Sequence, residues 1–233
     1  MRTQLALFAL LLPFFGYSQK NSIDLIGSFD LSYRALISQD FLGDSFIAER
    51  EGEVPKLNWR AGFNFNQRLS EKWFLKTGLR LASVGYRSAK KELRFGLQHD
   101  GSGGFDETST RIQQLTIDYF FLEVPIMIRY EWKQKKWSPF FEGGISSSYY
   151  LVTRLTTSID DDDTTRLDNQ SDVAIPIYFV ANASFGMNYN ISKQWQAFGQ
   201  SIFRFHLNPI SNQVIKEYLY SLGLEMGIRR KFK

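Results

Sequence analysis

The chain contains no cysteine. That excludes disulfides, thiol catalysis and cysteine-ligated metals. Small exported domains commonly rely on disulfides, so a chain without them needs another framework, and a large ladder of backbone hydrogen bonds provides one. Histidine is scarce as well, with His99 and His206 the only two. Long apolar runs are missing: no stretch approaches the roughly 18 consecutive apolar residues of a membrane-crossing helix. No nucleotide, flavin, haem or zinc motif occurs. Gly101-Ser102-Gly103-Gly104 is not a phosphate cradle, because no Lys-Ser/Thr pair or helix start follows it. No cofactor is expected.

Aromatic side chains, by contrast, are abundant, with 21 Phe and 11 Tyr. Charged residues make up 22%. Bulk composition of this kind fits a soluble β protein or a transmembrane β-barrel equally, because only alternate residues of a barrel strand face lipid. The N-terminal segment favours export. Arg2 precedes an apolar run from Leu5 to Phe15, broken only by Pro13, and Gly16-Tyr17-Ser18 ends it with small residues around a cut after Ser18. Residues 1–18 are therefore expected to be a signal peptide and residues 19–233 the mature domain. The net charge of +4 is modest. On an exported chain it suits anionic lipid headgroups, lipopolysaccharide included, better than nucleic acid.

Period-two alternation dominates beyond residue 20. In Leu57 to Leu69, Leu57, Trp59, Ala61, Phe63, Phe65 and Leu69 fall on one face, and Asn58, Arg60, Asn64, Asn66 and Arg68 on the other. Eight such segments are legible: Ile23–Leu36, Leu57–Leu69, Trp73–Tyr86, Asp118–Trp132, Trp137–Val152, Ile175–Asn190, Trp195–Leu207 and Tyr218–Phe232. Each is long enough to cross a bilayer at a tilt. The connections after the second, fourth and sixth are short, and those after the first, third, fifth and seventh are long. Outer-membrane barrels sort their turns and loops in this way. The pattern predicts an all-β fold: one antiparallel up-and-down transmembrane barrel of eight strands, with short periplasmic turns, long external loops and both termini periplasmic. Trp73, Trp132, Trp137 and Trp195 all border the short turns, as expected of a periplasmic aromatic girdle. Phe232 closes the last strand one residue from the end, much as an outer-membrane assembly signal does.

If the apolar set faces lipid, the inward set includes Asp24, Asp30, Arg34, Arg60, Arg68, Lys76, Arg80, Glu123, Arg129, Glu131, Glu142, Arg204, Glu225 and Arg229. Gly62, Gly78, Gly144, Gly186, Gly223 and Gly227 leave room beside them. An eight-stranded barrel is just wide enough for side chains to fill. A lumen charge network of Arg60, Lys76, Arg80, Glu123, Arg129, Glu142, Arg204, Glu225 and Arg229 is therefore expected to plug the interior.

The string Phe121-Leu122-Glu123-Val124-Pro125-Ile126-Met127-Ile128-Arg129-Tyr130 resembles a strand of the PorT-like outer-membrane barrels of Bacteroidetes. Pro139-Phe140-Phe141-Glu142-Gly143-Gly144 resembles that family's next strand, and the turns Leu69 to Trp73 and Ile191 to Trp195 resemble its hairpins. The resemblance implies an eight-stranded outer-membrane barrel. A named member is associated with type IX protein secretion, so envelope or secretion-system proteins are implied as partners. Pro125 is expected to sit at a bulge, where its missing N–H is tolerated, and Glu123 to pair with an inward arginine.

Two chemistries have simpler alternatives. A rim hydrolase acting on lipid would need His206 with a neighbouring serine and acid; a rim histidine is more often structural. The run Asp160 to Asp163 has the oxygen chemistry of a Ca²⁺ ligand set but lacks the glycine and terminal glutamate of an EF-hand loop. A solvated, self-repelling loop is the simpler expectation. The residues thus point to a non-enzymatic membrane-anchored interaction or structural protein, with a small channel or a lipid-modifying hydrolase as alternatives.

Overall fold

The computed structural model describes residues 21–38, 53–99, 105–132, 136–160, 162–168, 176–210 and 215–232. The signal-peptide segment lies outside these. Among the described residues there are ten elements, all strands: β1 (Ser22–Ser38), β2 (Lys56–Arg68), β3 (Trp73–Arg87), β4 (Lys91–His99), β5 (Phe105–Glu131), β6 (Trp137–Ile159), β7 (Asp162–Asp168), β8 (Ile177–Asn190), β9 (Trp195–His206) and β10 (Ile215–Lys231). Every pairing is antiparallel. Eight strands close a ring in the order β1, β2, β3, β5, β6, β8, β9 and β10, with β10 returning to β1 from Ser22↔Lys231 to Ser38↔Ile215. A closed ring leaves no edge strand and pairs the backbone groups within the wall, which is what lipid demands.

The remaining two strands correct the sequence reading of the long connections. β4 pairs only with the first part of β5, and β7 only with the last part of β6. The stretches read as loops at 87–117 and 153–174 therefore carry strands that prolong the wall at one end. β5 runs to 27 residues and β6 to 23. β6 stays in register with β5 by means of a bulge: Phe121 faces Tyr150, and Phe120 faces Val152, which leaves Leu151 as the extra residue. Pro125 is not at this bulge. It stays in register with Ser146 of β6, and the ladder to β3 is interrupted beside it, between Ile126↔Thr77 and Glu123↔Arg80. The missing N–H thus costs one stretch of the β3 ladder and no register.

Burial inverts the soluble pattern. Leu25 (69% exposed), Leu57, Ile126 and Leu222 stand on the outside, while Arg60, Lys76, Arg129 and Glu142 are sealed inside. In water such an exterior would be one continuous sticky patch; in lipid it is the solvated face.

The short-turn rim has a repeated construction. In Leu69-Ser70-Glu71-Lys72-Trp73, the Trp73 carbonyl accepts from the Leu69 N–H (2.9 Å) and the Ser70 N–H (3.1 Å). The Ser70 hydroxyl accepts from the N–H of Lys72 and of Trp73. In Ile191-Ser192-Lys193-Gln194-Trp195 the same four bonds recur, with Ser192 and Trp195 in the same places. A serine that folds its hydroxyl back onto the backbone stabilises such a tight turn. The outer ends of the first and last strands, Ser22 and Lys231, lie at this rim.

Candidate functional site

The alternation of β1, β2, β3, β5, β6, β9 and β10 aims charged side chains into the ring. Arg60 meets the Asp30 carboxylate and donates from Nε to Glu123, both oxygens at 3.3 Å. Arg204 donates to Asp30 (2.6 Å) and to Glu225 (2.9 Å). Arg80 reaches Glu225 at 3.3 Å, and Gln200 donates to the other Glu225 oxygen at 2.7 Å. One chain of ion pairs therefore runs Glu123–Arg60–Asp30–Arg204–Glu225–Arg80 across the barrel. Nearer the short-turn rim, Glu142 is shared by Lys76 (2.6 Å) and Arg129. Beyond it Arg229 holds Asp24 with two bonds, at 2.7 and 3.0 Å, and lies 3.9 Å from Glu131.

The charges balance. Arg60, Lys76, Arg80, Arg129, Arg204 and Arg229 face Asp24, Asp30, Glu123, Glu131, Glu142 and Glu225, and all are buried. Ions this far from water persist only when paired and hydrogen-bonded. Two residues of the inward set lie apart from this network. Arg68 turns to the rim and donates to the Ser70 carbonyl at 2.8 Å. Arg34 stays inward, its side chain 5% exposed, but at the opposite rim, bound to Glu53 and to Glu217 (2.8 Å) and stacked on Tyr86.

The glycines fit this packing. A methyl on Gly223 would overlap the Asp30 carboxylate, and one on Gly227 would meet the Phe198 ring. Phe198 itself packs with Phe140 and Ile26 among the charges, and Arg129 sits 4.1 Å over the Phe140 ring.

The assumption that apolar residues face lipid fails toward the other end of the barrel. Tyr119, Phe121, Tyr178, Val84, Ala82, Leu219 and Ile210 form a buried cluster inside. Phe121 is fully buried and meets Tyr178, Tyr150 and His206 with ring centres 5.7, 6.2 and 6.0 Å apart. This layer closes the lumen beyond the charge network. The arrangement suits a sealed interior and not a wet path.

His206 belongs to that layer. Its Nδ1 lies 3.2 Å from the Leu219 carbonyl, and its buried Nε2 has no hydrogen-bond partner. No serine is therefore bonded to it, and the triad geometry is not assembled. His99 ends β4, facing Phe105. Of the aspartate run, Asp160 makes the β6–β7 turn with φ at 53°, a conformation aspartate tolerates better than most residues. Its carboxylate accepts from the Ile112 N–H at 2.9 Å and its own N–H donates to the Ile112 carbonyl at 3.0 Å. Asp160 is thus a structural hinge between two hairpins; Asp161 lies outside the described residues. Among the described residues, no group of three or more His, Asp or Glu is placed to hold a metal ion.

At the short-turn rim Trp73, Trp132, Trp137 and Trp195 are all exposed. Tyr130 is sandwiched edge-on between Trp73 and Trp132, both at 4.9 Å, and Trp137 packs on Tyr189 at 4.6 Å. Arg230 lies over Trp195.

Sequence reasoning missed one cluster, on the outer wall at the other end. Asp118 accepts from Lys56, from Ser83 (3.1 Å) and from Arg154 (3.1 Å). Arg87 donates to Thr116 at 3.2 Å beside it. The bulge at Leu151 hid this cluster: past it, even-numbered residues of β6 point outward where odd-numbered ones did before.

No curated protein matches the chain. Solved structures that resemble it include the Neisserial surface protein A, 9% identical over 91% of this chain and 97% of that one, with a TM-score of 0.48. The outer membrane protease OmpT of Escherichia coli is 6% identical over 93% and 98%, with a TM-score of 0.45. The outer membrane protein OprG of Pseudomonas aeruginosa is 11% identical over 93% and 98%, with a TM-score of 0.40. A model for the outer membrane protein beta-barrel domain matches residues 28–229, and the chain, a closed ring of eight strands with an apolar exterior, belongs to that family of outer-membrane barrels.

Proposed function

We propose that this protein is a non-enzymatic, membrane-anchored barrel that works through its surface, as an interaction or structural protein of the outer membrane. The observation that carries this reading is the closure of the lumen. A charge-balanced lattice and an aromatic layer fill the same ring in series, so a conduction path would require both to rearrange. The isolated His206 argues against the hydrolase alternative on the same footing. In this reading the rim with the short turns and the tryptophans faces the periplasm, as do both termini, and the prolonged hairpins β4–β5 and β6–β7 face the exterior amid lipopolysaccharide.

The narrower version of the proposal makes the chain a PorT-like barrel of Bacteroidetes whose partners are envelope proteins, type IX secretion components among them. What supports it is the Phe121 to Tyr130 string followed by Pro139 to Gly144. The test is crosslinking in intact cells, then purification in mild detergent and mass spectrometry of co-purifying chains. Stoichiometric recovery of other envelope proteins is expected. A clean, unaccompanied barrel that conducts ions in a planar bilayer would overturn the reading in favour of a channel.

A further inference from the structure

The outer wall changes character at one height on three neighbouring strands. The outward face of β3 runs Leu79, Leu81, then Ser83 and Arg87. That of β5 runs Val124, Leu122, Phe120, then Asp118 and Thr116. That of β6 runs Tyr149, Leu151, then Arg154 and Thr156. The register puts these changes side by side, with Phe120 facing Ser83, Gly85 facing Asp118, and Asp118 facing Arg154. Alternation keeps Ser83 on the same face as the exposed Leu81. The upper edge of the apolar belt is therefore a polar row in which the exposed Arg87 and Arg154 stand beside the buried Ser83 and Asp118.

A cavity of about 480 Å³ opens along this row, lined mainly by residues of these outward faces. Lys56, Arg87 and Arg154 line it against a single carboxylate, Asp118. Asp118 is already shared by Lys56 and Arg154. The lining thus carries an excess of positive charge, and Arg154 keeps 44% of its side chain exposed. Leu57 and Trp59 also line it, and both stand exposed on the apolar side. Guanidinium groups bind phosphate with paired, charge-assisted hydrogen bonds, and hydroxyls from Thr116 and Thr156 extend the donor set.

We infer that this groove holds the phosphorylated headgroup of an outer-leaflet glycolipid, the phosphate lying between Arg87 and Arg154 and the acyl chains descending over Leu57, Trp59 and Leu81. The position selects the ligand. A soluble anion needs only the cations, whereas here the cations sit directly above a lipid-facing surface, where a phosphate and its chains are satisfied together. The inference rests on the orientation proposed above, with this end facing outward, but not on any protein partner.

The test uses the full-length protein in phosphatidylcholine nanodiscs, with diphosphorylated lipid A and its dephosphorylated form as probes. Binding of the diphosphorylated form is expected to weaken about tenfold in the double variant Arg87→Gln/Arg154→Gln, as for lost charge-assisted contacts. The dephosphorylated form is expected to bind wild type no better than the variant. Equal binding by wild type and variant, or no preference for the phosphorylated form, overturns the assignment. Displacement of the lipid by millimolar inorganic phosphate also overturns it, in favour of a soluble anion site. Resistance to unfolding in detergent until heated verifies that the variant barrel has folded. Orientation is checked separately. Because the chain has no other cysteine, Lys90→Cys can be labelled in intact cells with a membrane-impermeant maleimide. Labelling only after membrane disruption would refute the orientation, whatever the lipid binding shows.

Discussion

The lumen and the outer wall each gather arginines around a carboxylate, under opposite constraints. Inside, Glu225 is fully buried and bound by Arg80, Arg204 and Gln200, within a set where cations and anions match one for one. On the outer wall, the Lys56–Asp118 pair is also buried, but Arg154 and Arg87 beside it are exposed, and Arg154 keeps 44% of its side chain open. A sealed charge must be compensated by the protein itself. An exposed guanidinium at the membrane edge is compensated by water and, in our inference, by a ligand. The excess of positive charge is tolerable only at the second place, which makes the imbalance itself the mark of a binding surface.

One substitution made in both places tests this contrast. Arg204→Gln leaves Asp30 and Glu225 buried without their shared cation, and a loss of about 3–5 kcal/mol is expected, as for one partner removed from a buried pair. Urea unfolding of the reconstituted barrel measures it. A loss below about 1 kcal/mol, the size of an exposed pair, would mean that the lattice is looser than its geometry. Gly223→Ala attacks the same lattice sterically, since its methyl would overlap Asp30. The expected cost is about 1–3 kcal/mol, that of overpacking. Trp73→Ala at the short-turn rim removes the edge-on contact with Tyr130, worth about 0.5–1.5 kcal/mol. No change in unfolding there would mean that the aromatic pairing adds nothing to the rim.

The same contrast explains which parts were readable from the residues alone. Within the apolar belt one face meets lipid and the other meets charge, so alternation in β2 is clean from Leu57 to Phe65 and each strand announces itself. Above the belt both faces meet water or protein, and Thr153 to Ser158 shows no apolar alternation, although β6 continues through it. The charged lumen residues were legible because a charge in a membrane segment has only one direction to point. Phe121 and Tyr119 were not, since an aromatic ring is equally at home in lipid and in a packed interior. The bulge was invisible because Leu151 and Val152 are both apolar and either parity looks acceptable. Pro125 suggested a bulge in the wrong place: a missing N–H can equally be absorbed by a gap in one ladder.

Arg154→Gln completes the comparison and carries the smallest expected effect on stability. Arg154 is partly exposed, lies over the Phe120 ring, and shares Asp118 with Lys56. Its removal leaves Asp118 bound by Lys56 and Ser83, so no charge is stranded, and a loss of about 0–1 kcal/mol is expected for a half-exposed pair. Binding should respond out of proportion to stability, because the lost guanidinium is the one most open to a phosphate. Unfolding and lipid A retention measured on one preparation decide the matter. A stability loss as large as that of Arg204→Gln would make the wall cluster a second structural lattice. A retained fold with weakened retention would separate the two regions by function as well as by charge.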